Sequence, residues 1–138
     1  MKPYIHEVKY YECDRMGITH HSNYIRFMEE ARIDLQDQMG YSLGKMEEEG
    51  VVSPVVSLSC NYRKTTTFKD RIEIEVSIVN VSPLKMKLAY TMKVGEDIVF
   101  TGESVHCFLE NGHPVRIDER FPVFTDHREC KMNCVKQE

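Results

Sequence analysis

Tyr11-Glu12-Cys13-Asp14-Arg15-Met16-Gly17-Ile18-Thr19-His20-His21-Ser22-Asn23-Tyr24 is the stretch on which the architecture turns, because hydrophobic periodicity differs on its two sides. Before it, Tyr4 to Tyr10 reads as a short period-two strand, with Tyr4, Val8 and Tyr10 on one side and Glu7 and Lys9 on the other. From Asn23 the period becomes helical, and Tyr24, Phe27, Met28, Ala31, Leu35, Gln38 and Met39 share a stripe about 120° wide. Arg26, Glu29, Glu30, Asp34 and Asp37 lie mostly off that stripe, whereas Ile33 sits opposite it. Ser22 or Asn23 fits the N-cap and Gly40 the stop. The quoted stretch itself has no periodicity and contains Gly17, so it is a polar loop between a strand and one long amphipathic helix.

Farther along, Ser42 to Glu49 predicts a short helical turn ended by Gly50, and the chain then reads as strands to Leu109. Ile72, Ile74, Val76 and Ile78 alternate before the phase slips to Val79 and Val81, a bulge or sharp twist. Leu84 to Val94 alternates cleanly, with Leu84, Met86, Leu88, Tyr90, Met92 and Val94 on the dry face. Gly95-Glu96-Asp97 and Asn111-Gly112 supply hairpin turns. Ile98 to Leu109 is apolar on both faces and is expected to be central and buried. A strand, a helix and a run of antiparallel strands make an α+β domain in which the sheet must wrap the helix. Sheet edges left over then favour self-association.

The length of 138 residues fits one domain, taken as 1–138 with a polar tail from about residue 125. The formal charge of −4 and the absence of a Lys/Arg run argue against nucleic acid. Val51 to Leu58, the longest nearly apolar run, is too short for a membrane span, and the N-terminus carries no secretory pattern. A cytoplasmic protein is expected. Five scattered cysteines fit reduced thiols better than a disulfide framework. His127, Cys130 and Cys134 offer three ligands where a structural zinc takes four, so no metal is expected.

Chemistry concentrates in the opening stretch. A carboxylate, a glycine-permitted turn and a helix N-terminus place a base or nucleophile beside backbone N–H donors suited to a developing oxyanion. The alternative use of those donors is plain capping by Ser22 or Asn23. Cys13 reads as a small buried residue, since no paired base accompanies it.

The pattern Tyr-x-x-x-Asp14-x-x-Gly17-x-x-x-His21-x-Asn23-Tyr24, running into Phe27, Glu30, Ala31 and Arg32, resembles the acyl-CoA thioesterases of the hotdog fold. The branch it is most similar to contains 4-hydroxybenzoyl-CoA thioesterase and the bacterial Tol-Pal-associated thioesterases. The likeness covers residues 4–122 and is most specific in its first part. It implies a curved antiparallel sheet of about five strands wrapped around one long helix.

It also implies a thioester hydrolase that needs no cofactor or metal, coenzyme A being part of the substrate. The resemblance makes Asp14 nucleophile or general base, with backbone N–H at the start of the helix, at Tyr24 or its neighbours, polarising the thioester oxygen and His21 orienting substrate or water. Gly17 and Asn23 belong to the same motif, and Ser53, Pro54 and Val55 fall where relatives contact the thioester. Arg63 and Lys64, with Lys69 and Arg71, are the candidates for coenzyme A phosphates. Relatives often have a proline where this chain has Thr65, which leaves the rigidity of that turn open. An acyl-CoA ester is the expected partner, delivery by an acyl carrier protein is compatible, and a homodimer or homotetramer is expected. Two rival readings remain at this point: a hotdog hydratase or dehydratase acting on acyl thioesters, and an acyl-thioester binding module without turnover.

Overall fold

The computed structural model describes residues 1–125; His127, Cys130, Cys134 and the expected polar tail lie outside the described residues. In chain order the elements are β1 (Tyr4–Glu7), a 3-10 turn (Tyr10–Glu12), α1 (Asn23–Gln38), α2 (Leu43–Glu48), β2 (Val51–Val52), β3 (Val55–Tyr62) and β4 (Arg71–Val81). They are followed by β5 (Met86–Val94), β6 (Asp97–His106), β7 (Leu109–Glu110), β8 (His113–Pro114) and α3 (Ile117–Arg120). Five strands form an antiparallel sheet in the order β1-β4-β5-β6-β3. The α+β class and the strand count follow the sequence expectation.

Two compact units share this chain: residues Met1–Leu35, Cys60–Val76 and Tyr90–Gly102 in the first, and Gln36–Ser59, Ser77–Ala89 and the residues from Glu103 onward in the second. In the first, β1 pairs with β4 in the register Tyr4 to Ile74 and Glu7 to Arg71, which fixes where the chain leaves β1 for the polar loop. The dry side of α1 packs there through rings: Tyr24 stacks on Phe100 at 5.1 Å and Phe27 lies 4.1 Å from the His6 ring. Helical spacing put Tyr24, Phe27, Met28 and Ala31 on this stripe, and each is buried.

In the second unit a small sheet, β2-β7-β8, carries the Asn111-Gly112 turn with φ of 51° and 83°, as a tight hairpin between antiparallel strands requires. Gly50 has φ of 78°, and a Cβ there would meet the Asn111 Oδ1 at 2.6 Å, so both the backbone and the neighbour select glycine. Phe108, Phe121 and Phe124 are each almost fully buried and pack on Tyr41 or on one another. Ser42 caps α2, its side chain accepting the Lys45 N–H.

Several local expectations are corrected. β1 ends at Glu7; Val8 is buried on the expected side, with His6 beside it, but Tyr10 is exposed because the chain coils into the 3-10 turn. Gln38 is exposed while Gln36 is buried, donating to the Tyr41 carbonyl and the Met46 sulfur as the chain doubles back through Gly40. β5 starts at Met86; Leu84 is exposed in a turn where Ser82 and Lys85 bond each other. β6 stops at His106 and leaves Ile98 exposed, and its inward face carries Ser104 and His106, polar residues that an apolar reading passes over. The phase slip in β4 is real: Ile78 and Val81 are buried, with Val79 half-buried and Asn80 exposed between them.

Candidate active site

The polar loop folds as a small closed hairpin rather than an open connection. Cys13 and Thr19 form an antiparallel bridge, bracketed by two main-chain bonds: Asp14 N–H to the Ile18 carbonyl and His20 N–H to the Glu12 carbonyl, each 2.8 Å. Gly17, with φ of 81°, makes the reversal possible and returns its N–H to the Asp14 carbonyl at 3.0 Å. Cys13 is half-buried, not the fully enclosed residue expected, and its thiol lies 3.8 Å from the Lys9 carbonyl.

Asp14 stands at the mouth of this hairpin, half-buried. Its Oδ1 accepts the Met16 N–H at 2.8 Å, a local turn bond that fixes the rotamer. Oδ2 has no hydrogen-bond partner among the described residues and is available to a substrate or a water. The carboxylate lines a cleft of about 270 Å³ together with Met16, Ile18, Thr19, His21, Tyr24, Tyr62, Arg63, Lys64 and Thr65. Of the residues expected at the site, the fold thus gathers Asp14, His21, Tyr24, Arg63 and Lys64 around one space.

The helix start supplies the donors. The Asn23 N–H is taken by the His20 carbonyl at 3.0 Å, whereas the Tyr24 N–H reaches the His21 carbonyl only at 3.4 Å, a long bond. Ser22 does not cap with its side chain; its hydroxyl sits 2.8 Å from the His20 ring. Asn23 points away from the cleft and donates through Nδ2 to the Glu12 carbonyl at 2.8 Å. His21 is exposed beside the cleft, stacked on His20 at 4.3 Å and edge-on to Tyr62 at 6.3 Å.

The Tyr24 side chain is core. Burial raises its pKa, hydrogen bonding to Thr66 and Thr19 partly opposing the shift, and its hydroxyl lies 2.8 Å from the Thr66 hydroxyl. Thr66 is the residue that sequence reasoning missed. Its hydroxyl is also 2.6 Å from that of Thr19, its carbonyl accepts the Thr19 N–H at 2.8 Å, and next to it Thr67 donates to the Gly17 carbonyl at 2.7 Å. Thr66 and Thr67 thus hold this turn against the Asp14 hairpin with hydroxyl bonds. No sequence signal marks this, apart from three threonines in a row.

On the outer wall, Tyr62 donates to the His21 carbonyl at 2.9 Å, and burial, then the nearby Cys60, raises its pKa. Lys64 pairs with Asp97 at 3.0 Å; the exposed Arg63 guanidinium has no partner among the described residues. Lys69 lies over the Phe68 ring, and Arg71 continues into β4. Gly17 lines a neighbouring cleft of about 580 Å³ with Tyr10, Cys13, Asp14, Arg15, Thr67 and Phe68. Ser53, Pro54 and Val55 belong to the second compact unit and do not line the Asp14 cleft. Among the described residues there is no group of three or more His, Cys, Asp or Glu side chains placed to hold a metal, and no helix long and apolar enough to cross a membrane.

Comparison with known proteins gives the family. Residues 8–124 match the family described as the thioesterase-like superfamily. A putative esterase of Aquifex aeolicus is 31% identical over 83% of this chain and 89% of its own length. The putative acyl-CoA thioesterase YneP of Bacillus subtilis is also 31% identical, over 84% of this chain and 86% of its own. A solved DHNA-CoA thioesterase from Staphylococcus aureus superposes with a TM-score of 0.85 at 26% identity, covering 99% of this chain and 93% of that one. The chain belongs to the thioesterase-like superfamily, a hotdog-fold enzyme homologous to acyl-CoA thioesterases.

Proposed function

We propose that this enzyme hydrolyses an acyl-CoA thioester to a free carboxylic acid and coenzyme A, with Asp14 as the catalytic carboxylate. The observation that carries the assignment is the Asp14 side chain itself: one oxygen fixed by the Met16 N–H, the other open, in a cleft shared with the first residues of α1. As general base, Oδ2 takes a proton from water as the water oxygen bonds to the carbonyl carbon. The C–S bond then breaks and the proton passes to the leaving thiolate. As nucleophile, Oδ2 attacks the carbon directly, the thiolate leaves, and water cleaves the resulting anhydride. Asp14 is indispensable on either route.

The Tyr24 N–H serves the carbonyl oxygen as negative charge develops, since its present bond at 3.4 Å is weak enough to be exchanged for a stronger one. His21, with its ring exposed at the cleft edge, orients the substrate. Arg63 and Lys64 lie at the outer wall, where a phosphate-bearing arm would leave the cleft, and coenzyme A brings such an arm. We assign the unpaired edge strand β3, exposed along nearly its whole length, to a second copy of the chain.

The test is turnover of short, medium and aromatic acyl-CoA esters, followed with a thiol reagent, by wild type and Asp14→Asn. A loss of about 10²–10⁴ in kcat is expected, the usual weight of a positioned base. Near-wild-type turnover by the variant sinks the assignment.

A further inference from the structure

Glu12 does not line the cleft and is buried, yet both ends of the residue are committed to holding the site. At the side-chain end, Oε1 accepts the Lys9 N–H at 2.7 Å and lies 2.8 Å from His6 Nε2. The other His6 nitrogen is 3.2 Å from Glu30 Oε2 on α1, and the His6 ring rests on Phe27 of the same helix. At the main-chain end, the Glu12 carbonyl accepts two bonds of 2.8 Å, one from the His20 N–H and one from Asn23 Nδ2. One residue therefore ties β1, the closing end of the Asp14 hairpin and the first residue of α1 to a single point.

We propose that Glu12, held by His6 and answered by Asn23, is a positioning residue that sets the distance between the Asp14 carboxylate and the Tyr24 N–H. The inference rests on the assignment of Asp14 above. Asp14 follows Glu12 by two residues, and its own N–H closes the next rung of the same hairpin on Ile18. The Tyr24 N–H follows Asn23 by one. If the Glu12 carbonyl moves, the carboxylate and the amide move independently, because the two segments lose their shared acceptor. A displacement of about 1 Å between reacting groups can lower a rate about 10²-fold without touching the chemistry. A buried carboxylate is costly unless its oxygens are bonded. The His6 and Lys9 bonds meet that cost and leave the backbone carbonyl at a fixed height above the helix.

The experiment compares Glu12→Ala, Glu12→Gln and Asn23→Ala in wild type and in Asp14→Asn, with folding checked by circular dichroism. For Glu12→Ala the expected result is a fall of about 10²-fold in kcat with KM changed less than about 3-fold. Asn23→Ala removes only one of the two bonds to the carbonyl and is expected to cost about 10-fold. Glu12→Gln keeps an acceptor oxygen for Lys9 and His6 and is expected to recover most of the loss. In Asp14→Asn, whose base is already gone, Glu12→Ala is expected to change the residual rate by less than about 3-fold.

A purely structural role predicts the same fractional loss in both backgrounds, and that result overturns the proposal. So does a folded Glu12→Ala enzyme of wild-type kcat. Where Glu12→Ala does not fold, Asn23→Ala in the two backgrounds decides by the same criterion. Near-wild-type turnover of Asp14→Asn alone defeats the Asp14 reading and this one with it. An inactive Asp14→Asn beside an active Glu12→Ala defeats only the present inference.

Discussion

Arg63 is an exposed cation at the cleft wall without a partner among the described residues, while its neighbour Lys64 is engaged by Asp97. An unengaged guanidinium can grip a phosphate with paired bonds at little cost, whereas Lys64 must first leave its carboxylate. Arg63→Ala is therefore expected to raise KM for an acyl-CoA about 10-fold, the equivalent of one charge-assisted bond, and to leave kcat alone. With an acyl thioester of N-acetylcysteamine, which has no phosphate, the same variant should behave as wild type; equal KM changes on both substrates would remove Arg63 from the phosphate role. At this scale the sequence was readable where a residue works through its near neighbours. Gly17 was legible because a reversal within a few residues needs a positive φ. Thr66 was not, because its partners Tyr24 and Thr19 are 42 and 47 positions away and a threonine carries no mark of that appointment. Glu12 escaped for a related reason: it reads as one more polar residue of an aperiodic loop, and only the 3-10 turn at Tyr10–Glu12 brings it inward to His6.

Elements were legible where apolar spacing alone decides burial and harder to read where a polar side chain is buried. The α1 stripe belongs to the first kind, while the Asn111-Gly112 hairpin was marked by turn residues that accept a positive φ. Gln36, Ser104 and His106 belong to the second, since their burial depends on acceptors that only packing supplies. The join between α2 and α3 shows how such polar links respond to pH. At the end of α2, Glu49 accepts the Tyr41 hydroxyl at 2.7 Å and Arg120 of α3 at 3.0 Å, while Arg120 also reaches Glu110 of β7 at 3.1 Å. The hydrogen bond from Tyr41 and then that from Arg120 lower the Glu49 pKa below its ordinary 4.5, and burial pushes the Tyr41 hydroxyl upward. A carboxylate whose pKa is depressed on folding contributes stability above its unfolded value and loses it as pH falls through the folded one. The thermal midpoint of wild type should exceed that of Glu49→Gln at pH 7, and the gap should narrow as pH falls below 4.5. A gap that stays constant to pH 3 would show the contacts to be independent of charge.

At the scale of the whole molecule one sheet edge, β3, the last strand in the order β1-β4-β5-β6-β3, is exposed along nearly its whole length among the described residues. Native sheets normally blunt such an edge with charge, proline or a covering loop, because its free N–H and C=O groups invite another strand. Here the edge carries Val55, Val56, Leu58 and Tyr62, with Val55 51% and Val56 48% exposed, and no charged residue lies between Val55 and Tyr62. Pro54 sits just before the strand and so leaves the length of the edge available. An apolar, uncharged edge of this kind is stable in water when a second copy pairs with it, and two identical edges meeting antiparallel satisfy the symmetry of a closed dimer. Light scattering coupled to size exclusion should therefore report a dimer, or a tetramer built from dimers, at micromolar concentration. Val56→Lys with Leu58→Lys places like charges across the symmetry axis, where they oppose one another, and should shift the protein to monomer while circular dichroism stays that of the folded chain. A wild-type protein that is monomeric at that concentration, or a doubly charged variant that remains dimeric, would show that β3 does not pair with its own copy.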